Sequence, residues 1–261
     1  IQKIIMKSIL LEPILYGIII ISFSLAQVNT EWMRDGNLKK KFSNKVRLDF
    51  GYQASQDEIF DLQLSSSSNY YLENNLHAFL ILNYQNGFVS YGNNKEVILN
   101  TGFSHLRFTK NLLSTLDIEF FIQAGFNDFI LIRDRKLIGS GFRKNIIKNG
   151  IIKSYLGVGI MRESEKYDLK NYPQALLTRQ TNYLSTLYQI NDNAGLNNIL
   201  YFQPALGDYN DFRLLLENEM FFRINDVLAV VVSINYRYDN KPHESSKKTY
   251  LVVNNGLEFE F

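Results

Sequence analysis

From Lys45 onward, apolar and polar residues alternate along the chain with a period of two. Val46, Leu48, Phe50 and Tyr52 are interleaved with Lys45, Arg47, Asp49 and Gln53. Phe60, Leu62 and Leu64 continue the pattern against Asp61, Gln63 and Ser65. Leu76, Ala78, Leu80, Leu82 and Tyr84 form a third stripe, with weaker polarity opposite. Lys95–Phe108 reads as a fourth strand whose phase slips near Thr101-Gly102, where a bulge would account for the loss. The fifth stripe sets Leu116, Ile118, Phe120, Ile122, Ala124 and Phe126 against Asp117, Glu119 and Gln123. A period of two over such lengths means extended strands with one apolar and one polar face.

The second half repeats the pattern. Phe129–Arg143 sets Ile130, Ile132, Ile138 and Phe142 against Arg133, Arg135 and Arg143. Leu156, Val158 and Ile160 oppose Gly157, Gly159 and Glu163; further strands run through Arg179–Ile190 and Asn198–Gln203. Phe212, Leu214, Leu216, Met220 and Phe222 oppose Arg213, Glu217, Glu219 and Arg223. Leu228, Val230, Val232, Ile234, Tyr236 and Tyr238 oppose Ser233, Asn235, Arg237 and Asp239. Tyr250–Phe261 closes the series, with Leu251, Val253, Leu257, Phe259 and Phe261 on one face and Asn254 and Glu258 on the other. The expectation is an all-β, antiparallel, up-and-down transmembrane β-barrel of about 12 strands over residues 45–261. Several stripes reach the roughly 9–11 residues that a tilted strand needs to cross a bilayer.

Connections follow the same scheme. With the start on the periplasmic side, Gln85–Asn94, Glu163–Ala175, Pro204–Asp211 and Asp239–Lys248 become outer loops, mostly long and polar. Ala54–Asp57 and Asn127-Asp128 would be short outer turns. Thr109–Asn111, Asn191–Gly195 and Asn225-Asp226 give tight inner turns, whereas Ser66–Asn75 is longer. Short periplasmic turns with longer outer loops are the habit of such barrels.

The polar face carries charge near strand centres. Arg or Lys facing lipid at mid-depth costs roughly 2–4 kcal/mol, so these residues must face a lumen or bulk water. Asp117, Glu119, Arg133, Arg135, Arg143, Glu163, Arg213, Glu217, Glu219, Arg237 and Glu258 are therefore the expected lumen lining. A hairpin symmetric about Asn127 would set Glu119 opposite Arg135 as a cross-strand pair. Twelve strands enclose more space than the roughly eight whose interior side chains fill, so the lumen is either a narrow path or closed by ion pairs or an inward loop. The same alternation also fits a soluble periplasmic ligand-binding barrel with its apolar face inward. Strand length and number favour the membrane.

The first 26 residues read as a signal peptide. The start is expected at Met6. An apolar run through Phe23 precedes Ser24-Leu25-Ala26, which supplies the small residues a signal peptidase requires. A membrane anchor is the alternative, but the uninterrupted stretch Ile14–Phe23 is about half of a spanning helix. Residues 27–44 form a polar lead-in containing Lys39-Lys40-Lys41. Of the 261 residues 14% are aromatic, with 19 Phe and 16 Tyr, which suits strands and membrane interfaces. The net charge of +2 argues against a nucleic-acid surface. The absence of Cys excludes disulfides, thiolate metal sites and a lipoprotein cysteine.

Chemistry is sparse. The three histidines, His77, His105 and His243, show no metal-ligand spacing, so neither a metal nor a cofactor is expected. Ser104 precedes His105, but strand neighbours point to opposite faces. A lipid hydrolase or acyltransferase is the alternative that those histidines leave open, without a recognisable nucleophile motif. Gly139-Ser140-Gly141 reads as close strand packing, not as a phosphate loop.

Four places carry a family resemblance. They are Asp134-Arg135-Lys136-Leu137-Ile138-Gly139-Ser140-Gly141-Phe142-Arg143; Gly157-Val158-Gly159 with Glu163; Tyr201-Phe202-Gln203-Pro204 before Asp211-Phe212-Arg213; and Tyr236-Arg237-Tyr238-Asp239-Asn240-Lys241-Pro242 leading to Gly256-Leu257-Glu258-Phe259. In order and spacing they resemble the salt-induced outer-membrane protein family. That resemblance implies an outer-membrane barrel of unsettled role, linked to osmotic stress, with no catalytic residues. The terminal strand also resembles the last strand of bacterial outer-membrane barrels, in which the final aromatic is an assembly signal; here that residue is Phe261. The expected role is a non-enzymatic envelope barrel in a Gram-negative outer membrane: a narrow channel for small polar solutes or a structural barrel. Its expected partners are outer-membrane lipid and lipopolysaccharide, the outer-membrane assembly machinery and a small polar solute, with no nucleic acid.

Overall fold

The computed structural model describes residues 41–54, 58–72, 75–91, 94–169, 174–242 and 247–261. The expected signal peptide, nearly all of the lead-in and His243 lie outside the described residues. Twelve strands follow in order: β1 (Phe42–Ala54), β2 (Glu58–Leu72), β3 (Leu76–Tyr91), β4 (Asn94–Leu113), β5 (Leu116–Asn127), β6 (Ile132–Lys148), β7 (Ile152–Tyr167), β8 (Ala175–Asn191), β9 (Ala194–Ala205), β10 (Asp208–Arg223), β11 (Leu228–Asp239) and β12 (Thr249–Glu260). Each pairs antiparallel with its sequence neighbours, and β12 pairs with β1 to close the barrel. The seam runs from Lys45↔Glu260 to Asp49↔Gly256. Past its end, Asn44 and Phe261 exchange two backbone hydrogen bonds, at 3.2 and 2.8 Å. β1 opens at Phe42, ahead of the boundary expected at Lys45, because its ladder with β2 begins at Phe42↔Tyr70.

The two faces are sorted as the alternation requires. Leu48, Phe50, Phe120, Val158, Ile160, Val232 and Val253 stand exposed on the outside, while Arg47, Glu119, Arg143, Glu163 and Glu219 are buried inside. The exposure of these apolar residues is the reverse of a protein folded in water. A belt of this extent far exceeds the few hundred Å² of contiguous apolar surface that soluble monomers show. The soluble reading, with the apolar face inward, is therefore set aside by the geometry. No helix among the described residues is long and apolar enough to cross a membrane.

Strand lengths differ from the expected ones. β3 and β4 run to Tyr91 and from Asn94, so the long outer loop expected at Gln85–Asn94 shrinks to two residues. The Pro204–Asp211 loop likewise reduces to Leu206-Gly207, with Gly207 at φ +96°. Ser66–Asn75 is also mostly strand. Hydrogen bonding does not need a regular apolar stripe: β2 continues through Ser66–Asn69 against β3, and β3 through Phe88 and Val89 against β4, while in β10 a register shift against β9 takes up the residues between Asp208 and Phe212. The bulge expected near Thr101-Gly102 sits slightly earlier, where Val97 and Leu99 pair with Phe88 and Gly87.

The β5–β6 connection also departs from symmetry about Asn127. Asn127 caps a 3₁₀ turn, Asp128–Ile130, by accepting from the Ile130 amide, and Leu131 follows in the left-handed region at φ 59°. This turn and the flanking bulges move the centre of the hairpin. Glu119 pairs with Gly141 and Arg135 with Gly125, so the expected Glu119–Arg135 pair does not form.

Candidate functional site

The lumen is filled in layers. At the end opposite Phe261 lies an ion cluster built from β6, β7, β8, β10 and β11. Glu163 is its centre. Its Oε2 accepts from Arg135, and its Oε1 faces Arg213 at 2.8 Å and Arg179 at 3.3 Å. Glu165 faces Arg135 at 3.1 Å and Arg213 at 3.2 Å, and accepts from the Tyr167 hydroxyl at 2.7 Å. Arg213 also reaches Asp239 at 2.8 Å, Arg179 reaches Asp211 at 2.8 Å, and Arg237 donates to Asp239 at 2.9 Å. Four guanidinium groups thus meet four carboxylates. Burying a charge costs several kcal/mol, and only a network with satisfied geometry offsets that cost. Rigid guanidinium forks suit such multiple contacts better than lysine would.

Below it the lumen turns apolar and aromatic. Tyr183, Ile199, Tyr201 and Leu215 form one cluster, and Phe121, Leu137 and Met161 another. Glycines make room for the rings. A β-carbon at Gly139 would overlap the Phe121 ring, and one at Gly157 would overlap the Tyr183 ring. Gly139-Ser140-Gly141 therefore does serve close approach. The Tyr183 hydroxyl donates to Glu119 at 2.8 Å, and Arg107 stands 3.6 Å from the same carboxylate. A void of about 30 Å³ beside His105 and Arg107 is large enough for about one water.

Along the seam, Arg47 bridges Asp49 at 2.7 Å and Glu219 at 3.0 Å. Toward Phe261 the lumen opens into a vestibule of about 910 Å³, lined by Lys45, Asp117, Arg143, Tyr155, Glu219 and Glu258 among others. Lys45 lies 2.9 Å from Glu258 and 3.6 Å from Glu260. Arg143 packs over the Tyr155 ring, 3.7 Å from its centroid. At the opposite rim Lys241 bonds Asp208 at 2.5 Å, tying the β9–β10 turn to the β11–β12 loop. That bond holds the Asp208 carboxyl below its ordinary range and raises Lys241.

The residues expected from alternation sort as follows. Glu119, Arg135, Glu163, Arg213, Glu217, Glu219, Arg237 and Glu258 are buried on the lumen side, as is Arg143; Asp117 is half-buried at the vestibule. Arg133 is the correction. The register shift between Ile132 and Asp134 turns Ile132 inward, against Ile130 and Tyr250, and leaves Arg133 exposed. The alternation did not single out Arg179 or Glu165, two of the most deeply buried charges. In β8 polar residues such as Gln180 and Asn182 also occupy the outer face, which dilutes the signal around Arg179.

His105 lies in the lumen against Gln123, at 3.1 Å, whereas Ser104 is exposed on the outer face. His77 faces the Asn69 amide oxygen at 3.0 Å and stacks on Tyr71. Among the described residues no group of three or more His, Cys, Asp or Glu is arranged to hold a metal ion.

The chain belongs to the family described as "Protein of unknown function, DUF481", whose model matches residues 27–261. No curated protein matches it. Among solved structures it is similar in fold to the translocator domain of autotransporter NalP from Neisseria meningitidis, at 10% identity and TM-score 0.46, covering 86% of this chain and 88% of that one. It is also similar to the KdgM porin, at 7% identity and TM-score 0.46, covering 84% and 99%. The NanC porin aligns at 9% identity and TM-score 0.45, covering 83% and 97%.

Proposed function

We propose that this DUF481 protein is a non-enzymatic outer-membrane β-barrel, a narrow channel for small polar solutes that rests in a closed state. The apolar outer belt needs hydrocarbon around it, and a closed barrel satisfies every ladder hydrogen bond there. The barrel habit places Phe261 and the vestibule on the periplasmic side. One observation carries the closed state: the buried network of Arg135, Arg179, Arg213 and Arg237 with Glu163, Glu165, Asp211 and Asp239 occupies the outer half of the lumen. An ion-pair plug differs from an apolar one. It fails with the loss of a single partner, so it suits a gate.

Planar-bilayer recording tests the reading. Wild-type protein is expected to be nearly silent. A Glu163→Gln, Glu165→Gln variant is expected to conduct in bursts, because four cations then face two carboxylates and repel. If a folded variant stays as silent as wild type, the channel reading falls and a structural envelope barrel remains.

A further inference from the structure

The vestibule is electrically divided. On the β5–β7 side three cations, Arg143, Lys148 and Lys153, line it with one carboxylate, Asp117. On the β10–β12–β1 side four carboxylates, Glu219, Asp226, Glu258 and Glu260, line it with two cations, Lys45 and Arg223. In the order of this closed ring, β6–β7 and β12–β1 lie across the barrel from each other, six strands apart. One wall is therefore net basic and the facing wall net acidic. Apart from Asp226, in the β10–β11 turn, these charges sit on strands, so the separation is set by the fold.

A charge arrangement that only satisfied the lumen would pair its signs locally, as the outer cluster does. Here Lys45 pairs with Glu258 and Glu260 and Arg47 with Glu219, yet the residues lining each wall keep a net charge, with space between the two walls. A twelve-strand ring with strands about 4.8 Å apart and tilted by about 40° has a backbone diameter of roughly 24 Å. Side chains from both walls reduce the gap to roughly 10–12 Å. A chain of three residues spans about 10 Å when extended. At about 910 Å³ the space falls within the range of small-ligand sites. Tyr155 beneath Arg143, and Tyr71 stacked on His77, add flat apolar surface on the walls.

We infer that the vestibule is a binding site for an elongated zwitterionic solute of about tripeptide length. Its carboxylate lies toward Arg143, Lys148 and Lys153, and its ammonium toward Glu258 and Glu260. This inference deepens the channel reading, since it names the class of solute that enters from the Phe261 side. The binding itself requires neither a membrane nor an open gate.

The test is calorimetry on the full barrel in a nonionic detergent, with trialanine as probe. N-acetyl-trialanine amide has the same length without charges, and glycine has both charges too close together to reach both walls. Trialanine is expected to bind at least about tenfold more tightly than either. The Lys148→Ala, Lys153→Ala variant alters the end of the β6–β7 ladder at the vestibule mouth, and is expected to weaken trialanine about tenfold without affecting the capped peptide. Glu260→Gln is expected to act in the same direction from the other wall. Equal binding of the capped peptide, no effect of either variant, or no binding of trialanine up to about 10 mM would each overturn the inference. A silent bilayer together with selective trialanine binding would remove the channel and leave the site standing.

Discussion

At the residue scale, Glu163 is the carboxylate on which most guanidinium groups of the cluster converge. Three guanidinium groups converge on it, and it is 1% exposed. Glu163→Gln leaves those cations without their central counter-charge, and breaking one partner of a buried network costs about 3–5 kcal/mol. The expected outcome is a lower urea midpoint for the folded barrel, read by the loss of its heat-modifiable band. Gly157 sets a second residue-scale constraint. Gly157→Ala drives a methyl group into the Tyr183 ring, and overpacking of this kind costs about 1–3 kcal/mol. The same unfolding assay should show a lower midpoint for it, whereas alanine at Gly150, with nothing near its β-carbon, should leave the midpoint unchanged. The sequence made the charge of these residues legible, and their inward face as well. It did not show which cation meets which anion. The Glu119–Arg135 pair expected from symmetry fails because Asn127 caps a 3₁₀ turn that moves the hairpin centre. Arg133 is misplaced because a bulge reverses the phase two residues before Arg135.

At the scale of elements, the critical ladder is the seam. The β1–β12 register spans only Lys45↔Glu260 to Asp49↔Gly256, against Phe42↔Tyr70 to Ala54↔Glu58 for β1–β2. Closure removes the two free edges, so a defect there exposes both. Gly256 lies against the Asp49 carboxylate and the Leu48 carbonyl. Gly256→Val places bulk where the two strands must approach, and is expected to abolish the compact band on a heat-modifiability gel. A normal compact band would show that the seam tolerates more than its geometry implies. Strand existence and order were readable from alternation. Strand ends were not, since past the regular stripes both faces carry similar residues, polar ones at Ser66–Asn69 and apolar ones at Phe88 and Val89, and an alternation of apolar and polar positions no longer marks the ladder.

At the scale of the whole molecule, solvent decides the arrangement. Large apolar residues cover the outside and ionic ones fill the inside, which is stable only where hydrocarbon surrounds the barrel. Val232 lies at the middle of the β11 outer face, exposed. Val232→Arg is expected to cost about 2–4 kcal/mol of folding free energy into lipid vesicles, as charge at mid-depth requires. An unchanged midpoint in vesicles would mean that this face does not meet lipid. The same arrangement underlies the proposed closed state of the lumen. Ring size alone would leave room for water, and the outer half is filled by long side chains instead.

By itself the sequence determined the class of element, the number of strands and the sorting of their faces. A period of two forces those faces apart wherever one side meets oil. It also determined that charge of both signs lines the interior. Only the tertiary structure decided the pairing within that interior: the star of arginines on Glu163, the rings laid over Gly139 and Gly157, and the two opposed walls of the vestibule. These depend on register, bulges and the curvature that brings β6–β7 across from β12–β1, and no local pattern along the chain encodes a contact across a barrel.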